Sequence, residues 1–376
     1  MSETEDKLRH ALEEREKLGS LRELRVSPGL ADFCSNDYLG FSRAETLREM
    51  IAEEVRKHPE SKSGSTGSRL ISGNSSYCEE LESFIAGFHG SQSGLIFNSG
   101  YDANLGLFSS VPQRNDTILY DKLVHASIRD GIRLSHARAF SFEHNDVEDL
   151  ERRIKSAGSS VYVAVESVYS MDGDCAPLSE MAKLCRAYGA NLIVDEAHAT
   201  GVFGRKGEGL AAELGLTRDV FARVHTFGKA LGTHGAVVLG SETLRSYLIN
   251  FARSFIYTTA LPFHSLAAIR CAYEYLLADQ ESMERLAERV ALFKRNLTDG
   301  VRARIIESQS AIQCVVVPGN AEVKSFAHQI QVAGYDVRPI MHPTVPAGSE
   351  RLRVCLHAFN TEEEILGLTN KLGMLT

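Results

Sequence analysis

The 376-residue sequence holds no apolar run of 18 residues, so no ordinary membrane-spanning helix is expected. Its first fifteen residues, Met1 to Arg15, are charged and lack an apolar core segment. They read as an amphipathic helix and not as a secretory signal. No block of Lys or Arg stands out and the net charge is −8, which argues against nucleic acid as a partner. There is no Cys-x-x-Cys pair. The seven cysteines (Cys34, Cys78, Cys175, Cys185, Cys271, Cys314 and Cys355) are scattered and odd in number. That pattern favours reduced thiols in a cytoplasm and argues against a metal cluster, so no metal site is expected. A phosphate-binding P-loop is absent, and the glycines of Gly204-Arg205-Lys206-Gly207-Glu208-Gly209 have the wrong spacing for a dinucleotide fingerprint. Gly and Pro are few, and neither repeats nor low-complexity stretches occur.

What remains is an ordinary globular composition, 43% apolar and 24% charged, long enough for a large domain and a smaller one. Three parts are expected: an N-terminal helix and extended arm over 1–40, a large domain over 41–265 and a small α+β domain over 266–376. Helices are expected over 1–18 and 43–58, with a turn at Ser27-Pro28-Gly29. A Gly/Ser loop over 61–74 interrupts two helices; such a loop is either a turn or part of a site. From about 94 to 240, short apolar runs such as Ile118-Leu119-Tyr120, Val161-Tyr162-Val163-Ala164-Val165 and Leu192-Ile193-Val194 alternate with helical stretches. This predicts an α/β fold, a mostly parallel sheet sandwiched by helices. In such sheets ligands bind beyond the carboxyl ends of the strands, where Glu166, Asp195 and Lys229 fall. One long helix is expected from Pro262 to about Asp299. Small-domain strands are expected near 312–317, 335–338 and 351–356, and helices near 321–333 and 361–373.

Two segments carry the chemistry. Leu192-Ile193-Val194-Asp195-Glu196-Ala197-His198 reads as a buried strand that delivers an acid and an imidazole. Val224-His225-Thr226-Phe227-Gly228-Lys229-Ala230 reads as a strand ending in a small-residue loop with one lysine. Together they outline a pyridoxal phosphate (PLP) site. A carboxylate keeps the pyridine nitrogen protonated, and a lysine amine holds the aldehyde as a Schiff base. Each residue also has a plainer reading. Lys229 alone could be a surface lysine, Asp195 a helix cap and His125 a structural histidine at a strand end, although it can also stack flat on a pyridine ring. His198 can reach the ring's phenolic oxygen, while Glu196 points the other way. Asn98-Ser99-Gly100-Tyr101 opens a helix whose first N–H groups suit a phosphate. Ser170 can place a hydroxyl near the cofactor or substrate, and Asp172-Gly173 beyond it reads as a β-turn. Arg351 and Arg353 fall on one face of a strand, as a carboxylate-binding fork or as two solvated arginines on a sheet edge.

From about Asp32 to Leu372 the sequence resembles the α-oxoamine synthases, PLP enzymes of fold type I. The markers are Ser35-Asn36-Asp37-Tyr38-Leu39-Gly40, Gly67-Ser68-Arg69-Leu70-Ile71-Ser72-Gly73, Ser170-Met171-Asp172-Gly173-Asp174, Val194-Asp195-Glu196-Ala197-His198, Thr226-Phe227-Gly228-Lys229 and Pro343-Thr344-Val345-Pro346. The resemblance implies an acyltransferase whose substrates are an amino acid and an acyl thioester. It gives Lys229, His125, Asp195 and His198 catalytic roles. Cofactor contacts come from these four with Ser170, Gly100, Tyr101, Thr226 and, across a homodimer interface, Thr258 and Thr259. Arg353, with Asn36 and Thr344, is implied in substrate binding. Within the family, the Ser-Arg-Leu-Ile-Ser-Gly-Asn loop and the Pro-Thr-Val-Pro-Ala-Gly stretch are in the style of the biotin branch, which condenses L-alanine with a pimeloyl thioester. Residue 196 is Glu where many members of that branch carry Asp. Other branches use glycine with acetyl-CoA, glycine with succinyl-CoA, or serine with palmitoyl-CoA. A PLP-fold subunit without catalysis is the reading from a different class.

Overall fold

The computed structural model describes every residue except 1, 25, 27, 28, 159, 280 and 376. The expected turn at Ser27-Pro28 therefore lies outside the described residues. The chain divides into two compact units. One comprises residues 36–170 and 175–284; the other comprises residues 1–35, 171–174 and 285–376. These divisions cut the chain elsewhere than at 40 and 265. Residues 1–35 group with the C-terminal part. The helix Phe263–Ala278 stays with the larger unit, where it packs on the helices Glu45–Arg56 and Ser76–Phe88.

The larger unit is built on a seven-stranded sheet. Its strands are β1 (Ser93–Phe97), β2 (Thr117–Asp121), β3 (Arg138–Phe142), β4 (Val161–Glu166), β5 (Asn191–Asp195), β6 (Ala222–Thr226) and β7 (Ala236–Gly240). The order is β1-β7-β6-β5-β4-β2-β3. Only β7 runs against its neighbours; the pairs β6-β5, β5-β4, β4-β2 and β2-β3 are parallel. The five- and six-residue strands read as continuous apolar runs because both faces are covered. Alternation splits them between two cores. Ile118, Ala164 and Ile193 pack on one face with Leu107, Phe108 and Ile128. Leu119, Val163, Val165, Leu192 and Val194 pack on the other with Leu150, Leu178 and Met181. Each such side chain contributes roughly 1.5–3 kcal/mol on burial. The helices between strands begin and end at readable signals. Ser75, Ser99, Asp146 and Ser241 cap N-termini through their side chains. Gly189, at φ 67°, closes the helix Leu178–Tyr188 in the left-handed conformation that glycine adopts freely.

The expected long helix after Pro262 is two helices, Phe263–Ala278 and Glu281–Arg295. Asp279 causes the break. Its carboxylate accepts from the Ser282 backbone N–H (3.2 Å) and hydroxyl (2.6 Å), so it ends one helix and caps the next. In the Gly/Ser loop, Arg69–Gly73 forms a single wide π-helical turn.

The smaller unit holds an antiparallel sheet of β8 (Ile312–Val316), β9 (Arg338–Ile340) and β10 (Arg351–Cys355), with β10 in the centre. Helices Asn320–Val332 and Glu362–Leu375 accompany it, and Ala31–Asp32 pairs in parallel with Tyr335–Asp336. The helix Glu3–Lys17 is exposed along its whole length. Gly173 stands at φ 80°, and a Cβ there would meet the Ile312 carbonyl oxygen at 2.2 Å. Glycine is obligatory in this turn.

Candidate active site

Because β1 opposes β7 and β7 opposes β6, β1 runs with the parallel set. The chain beyond the carboxyl ends of β1, β2, β4, β5 and β6 therefore meets at one sheet edge. There it encloses a cavity of about 280 Å3. Asn36, Gly100, Tyr101, His125, Asp195, His198, Thr226 and Lys229 all line it. The structure thus brings together residues that are up to 193 positions apart in the chain. Glu166 and Asn104 line it as well.

Asp195 ends β5 and is buried. Its Oδ2 accepts from the Asn104 side-chain amide at 2.7 Å and its Oδ1 from the Ala197 N–H at 2.9 Å. Both oxygens are oriented, and the carboxylate lines the cavity. Asn104 also donates to the Ser127 hydroxyl (3.0 Å). The helix-cap alternative does not describe Asp195, because no helix starts there; the next one, Leu210–Glu213, lies downstream. Glu196 points away from the cavity. Its carboxylate accepts from the Leu210 and Ala211 N–H groups at 3.0 and 2.7 Å and so holds that short helix.

His125 sits at the N-cap of the helix Ala126–Leu134. Its Nδ1 accepts from the Ser127 N–H at 3.2 Å, which assigns the proton of the neutral ring to Nε2. Burial lowers its pKa most; the Asp195 charge pulls it back and Lys229 adds to the lowering. A neutral, flat imidazole at the cavity wall suits stacking on a heteroaromatic ring. His198 Nδ1 pairs with the buried Tyr38 hydroxyl at 2.7 Å, and that hydroxyl also reaches Asn36 Oδ1 at 3.1 Å. Lys229 is half-buried, three residues beyond the β6 end.

Ser99 caps the helix Gly100–Ser110. It accepts from the Asp102 N–H (3.1 Å) and donates to the Asp102 carboxylate (2.8 Å). The N–H groups of Gly100 and Tyr101 stand in the first turn, where an anion is favoured. A Cβ on Gly100 would lie 2.4 Å from Thr226 Cγ2, so only glycine lets the helix start this close to β6.

Five predicted residues are elsewhere. Ser170 is buried but is not among the cavity-lining residues. Thr258 Oγ1 and the Thr259 carbonyl accept from the Asn98 amide, both at 2.9 Å, outside the cavity of their own chain. Arg353 and Thr344 belong to the smaller unit. Arg353, on the central strand β10, is buried and donates to Cys355 Sγ at 2.8 Å. Thr344 is exposed, and its hydroxyl accepts from Arg22 at 3.4 Å. The solvated edge-strand alternative fails for both arginines. Arg351 is buried too, and it is committed to an ion pair with Asp172. The two arginines therefore do not act as a paired fork.

Sequence reasoning missed Asn104 and Tyr38, which orient Asp195 and His198. Asn104 carries a signal, a polar residue four positions after Gly100 on a helix whose same face is otherwise apolar.

The model of the aminotransferase class I and II family matches residues 28–372. An 8-amino-7-oxononanoate synthase of Emericella nidulans is 46% identical over 96% of this chain and 93% of its own length. The chain is an α-oxoamine synthase. Among solved structures, a serine palmitoyltransferase from S. paucimobilis with a bound PLP–myriocin aldimine superposes with a TM-score of 0.88. It is 28% identical, over 98% of this chain and 97% of its own. An 8-amino-7-oxononanoate synthase from Francisella tularensis superposes with a TM-score of 0.78. It is 29% identical, over 92% of this chain and 97% of its own. The α-oxoamine synthase has fold type I and PLP as its cofactor. The cavity fits that group. It has an oriented carboxylate for a ring nitrogen, a neutral imidazole for the ring face and an amine for the aldehyde. It also has a glycine-opened helix turn for the phosphate, and Asn104 Oδ1 and Glu166 Oε1 are buried polar atoms without a partner. No described helix is long and apolar enough to cross a membrane.

Proposed function

We propose that this α-oxoamine synthase condenses L-alanine with a pimeloyl thioester, carried on CoA or on a carrier protein. The products are 8-amino-7-oxononanoate, CO2 and the free thiol, a step of biotin biosynthesis. The observation that carries the reading is the 46% identity to the Emericella nidulans synthase over nearly the whole of both chains.

Bound PLP supplies an electron sink for the carbanion formed at the substrate Cα. The chain's own residues do the rest. Asp195, fixed by Asn104 and the Ala197 N–H, holds a proton at the ring nitrogen. The Lys229 amine binds the cofactor aldehyde and, once displaced by the amino acid, takes the Cα proton and returns one after CO2 leaves. His125 presents its neutral ring face. His198, held by Tyr38, and Ser170 serve the phenolic oxygen. Gly100, Tyr101 and Thr226 hold the phosphate through N–H and hydroxyl donors. Arg353 takes the amino acid carboxylate, with Asn36 and Thr344 in substrate binding. The working form is a homodimer in which Thr258 and Thr259 of the partner complete the phosphate site; their position outside their own cavity supports this. Seven cysteines, none of them in a disulfide, support the cytoplasm as its compartment.

A second reading, L-serine with a long-chain acyl thioester, is favoured by the 0.88 superposition on serine palmitoyltransferase. Thiol release from L-alanine plus pimeloyl-CoA, L-serine plus palmitoyl-CoA and glycine plus acetyl-CoA decides between them. Turnover confined to the first pair is expected. Turnover confined to another pair moves the enzyme to that branch.

A further inference from the structure

Glu166 is the one cavity-lining acid that the proposed chemistry leaves unused. It ends β4 directly beside Asp195 of β5, in parallel register, and is only 2% exposed. Its Oε1 is buried and has no hydrogen-bond partner. No described arginine or lysine forms an ion pair with it. Two neighbouring carboxylates, both buried, cannot both stay ionised cheaply without a paired cation. Asp195 is the fastened one of the two: both its oxygens accept hydrogen bonds.

We propose that Glu166 is a ligand-binding residue of this site. As an uncharged carboxyl it offers Oε1 to the bound cofactor and amino acid. That oxygen is an O–H donor whose acceptor must enter the cavity, and an anionic oxygen of the cofactor or substrate is the matching chemistry. The titratable and charged groups around it are Asp195, Lys229 and His125, with His198 and His234 further along the same cavity wall. Burial, then the Asp195 charge, pushes the Glu166 pKa up to about 8, against the pull of Lys229, which agrees with the neutral form at physiological pH.

This inference rests on the PLP reading of the cavity, so Lys229→Ala is the control for that reading. If the wild-type protein with PLP gives no visible absorbance that depends on Lys229, the cofactor reading itself fails. With that absorbance present, Glu166→Gln and Glu166→Ala are compared in the holoenzyme by spectral pH titration, cofactor affinity and kcat against KM. Gln keeps an uncharged acceptor and donor. It is expected to hold kcat and the spectral midpoint close to wild type, within about threefold. Ala is expected to shift the midpoint and to weaken cofactor binding by about tenfold or more. If Gln is as damaged as Ala, the negative charge is what matters and the proposal is overturned. An Ala variant with unchanged spectrum, affinity and KM overturns it as well.

Discussion

Lowering the pH from 7 to 5 is expected to destabilise this protein through two buried histidines, His89 and His225. His89 and His225 are 1% and 0% exposed, with ring centroids 4.0 Å apart. His89 Nδ1 pairs with the Glu208 carbonyl (2.9 Å) and Nε2 with the Tyr273 hydroxyl (2.8 Å). His225 Nδ1 pairs with the Thr200 hydroxyl (2.9 Å). Arg223, whose guanidinium donates to the His89 carbonyl, is the nearest fixed charge and repels a second one. Burial, then Arg223, brings the His89 pKa down to about 3; His225 moves the same way, from burial, His89 and Arg223. A folded pKa below the unfolded value of 6.5 means that the unfolded chain binds protons the native chain refuses. Stability is therefore complete above pH 6.5 and falls as pH drops from there towards the folded pKa. By pH 5, His89 alone accounts for a loss of about 2 kcal/mol, since 1.5 pH units lie below the unfolded pKa and each is worth about 1.4 kcal/mol. Carboxylates titrate in the same range, so the readout is a difference. Urea unfolding, followed by circular dichroism at pH 7 and pH 5, is compared between wild type and His89→Asn. The variant starts less stable because it loses two hydrogen bonds, but it should lose about 2 kcal/mol less between the two pH values. Parallel losses in the two proteins would refute the assignment of a neutral buried pair.

Three further outcomes follow from the site geometry. Gly100→Ala places a Cβ 2.4 Å from Thr226 Cγ2; PLP affinity, measured by equilibrium dialysis, should fall by about tenfold or more while the fold persists. Asn104→Ala removes the amide that orients Asp195; kcat should drop by about 10–100-fold with KM for the amino acid little changed, measured by thiol release. Arg353→Ala should raise the amino acid KM by at least about thirtyfold, as a lost buried charge-assisted contact of roughly 2–5 kcal/mol requires, and leave the cofactor absorbance as it is.

The strands of the larger unit were legible because a sheet covered on both faces demands unbroken apolar runs. Ile118-Leu119-Tyr120 and Leu192-Ile193-Val194 carry nothing else. The placement of Asp195 and Lys229 followed from strand ends alone. What stayed hidden depends on partners distant in the chain. Asp279 looks like any helical aspartate until its carboxylate is seen capping the next helix through Ser282. Asn104 and Tyr38 gain meaning only from Asp195 and His198, 91 and 160 residues away. The two arginines of β10 alternate to one face in any reading of the strand, yet only the fold shows that Asp172 takes Arg351. The boundaries of the units were likewise set by packing, since nothing in the composition of residues 1–35 points to their pairing with Tyr335–Asp336.

The central claim is a decarboxylative carbon–carbon condensation, and carboxyl-labelled L-alanine tests it most directly. With pimeloyl-CoA and the PLP-loaded enzyme, labelled CO2 and free CoA are expected in equal amounts, with neither formed by Lys229→Ala. CoA released without labelled CO2 would mean acyl transfer or hydrolysis without loss of the carboxyl group, and would contradict the account.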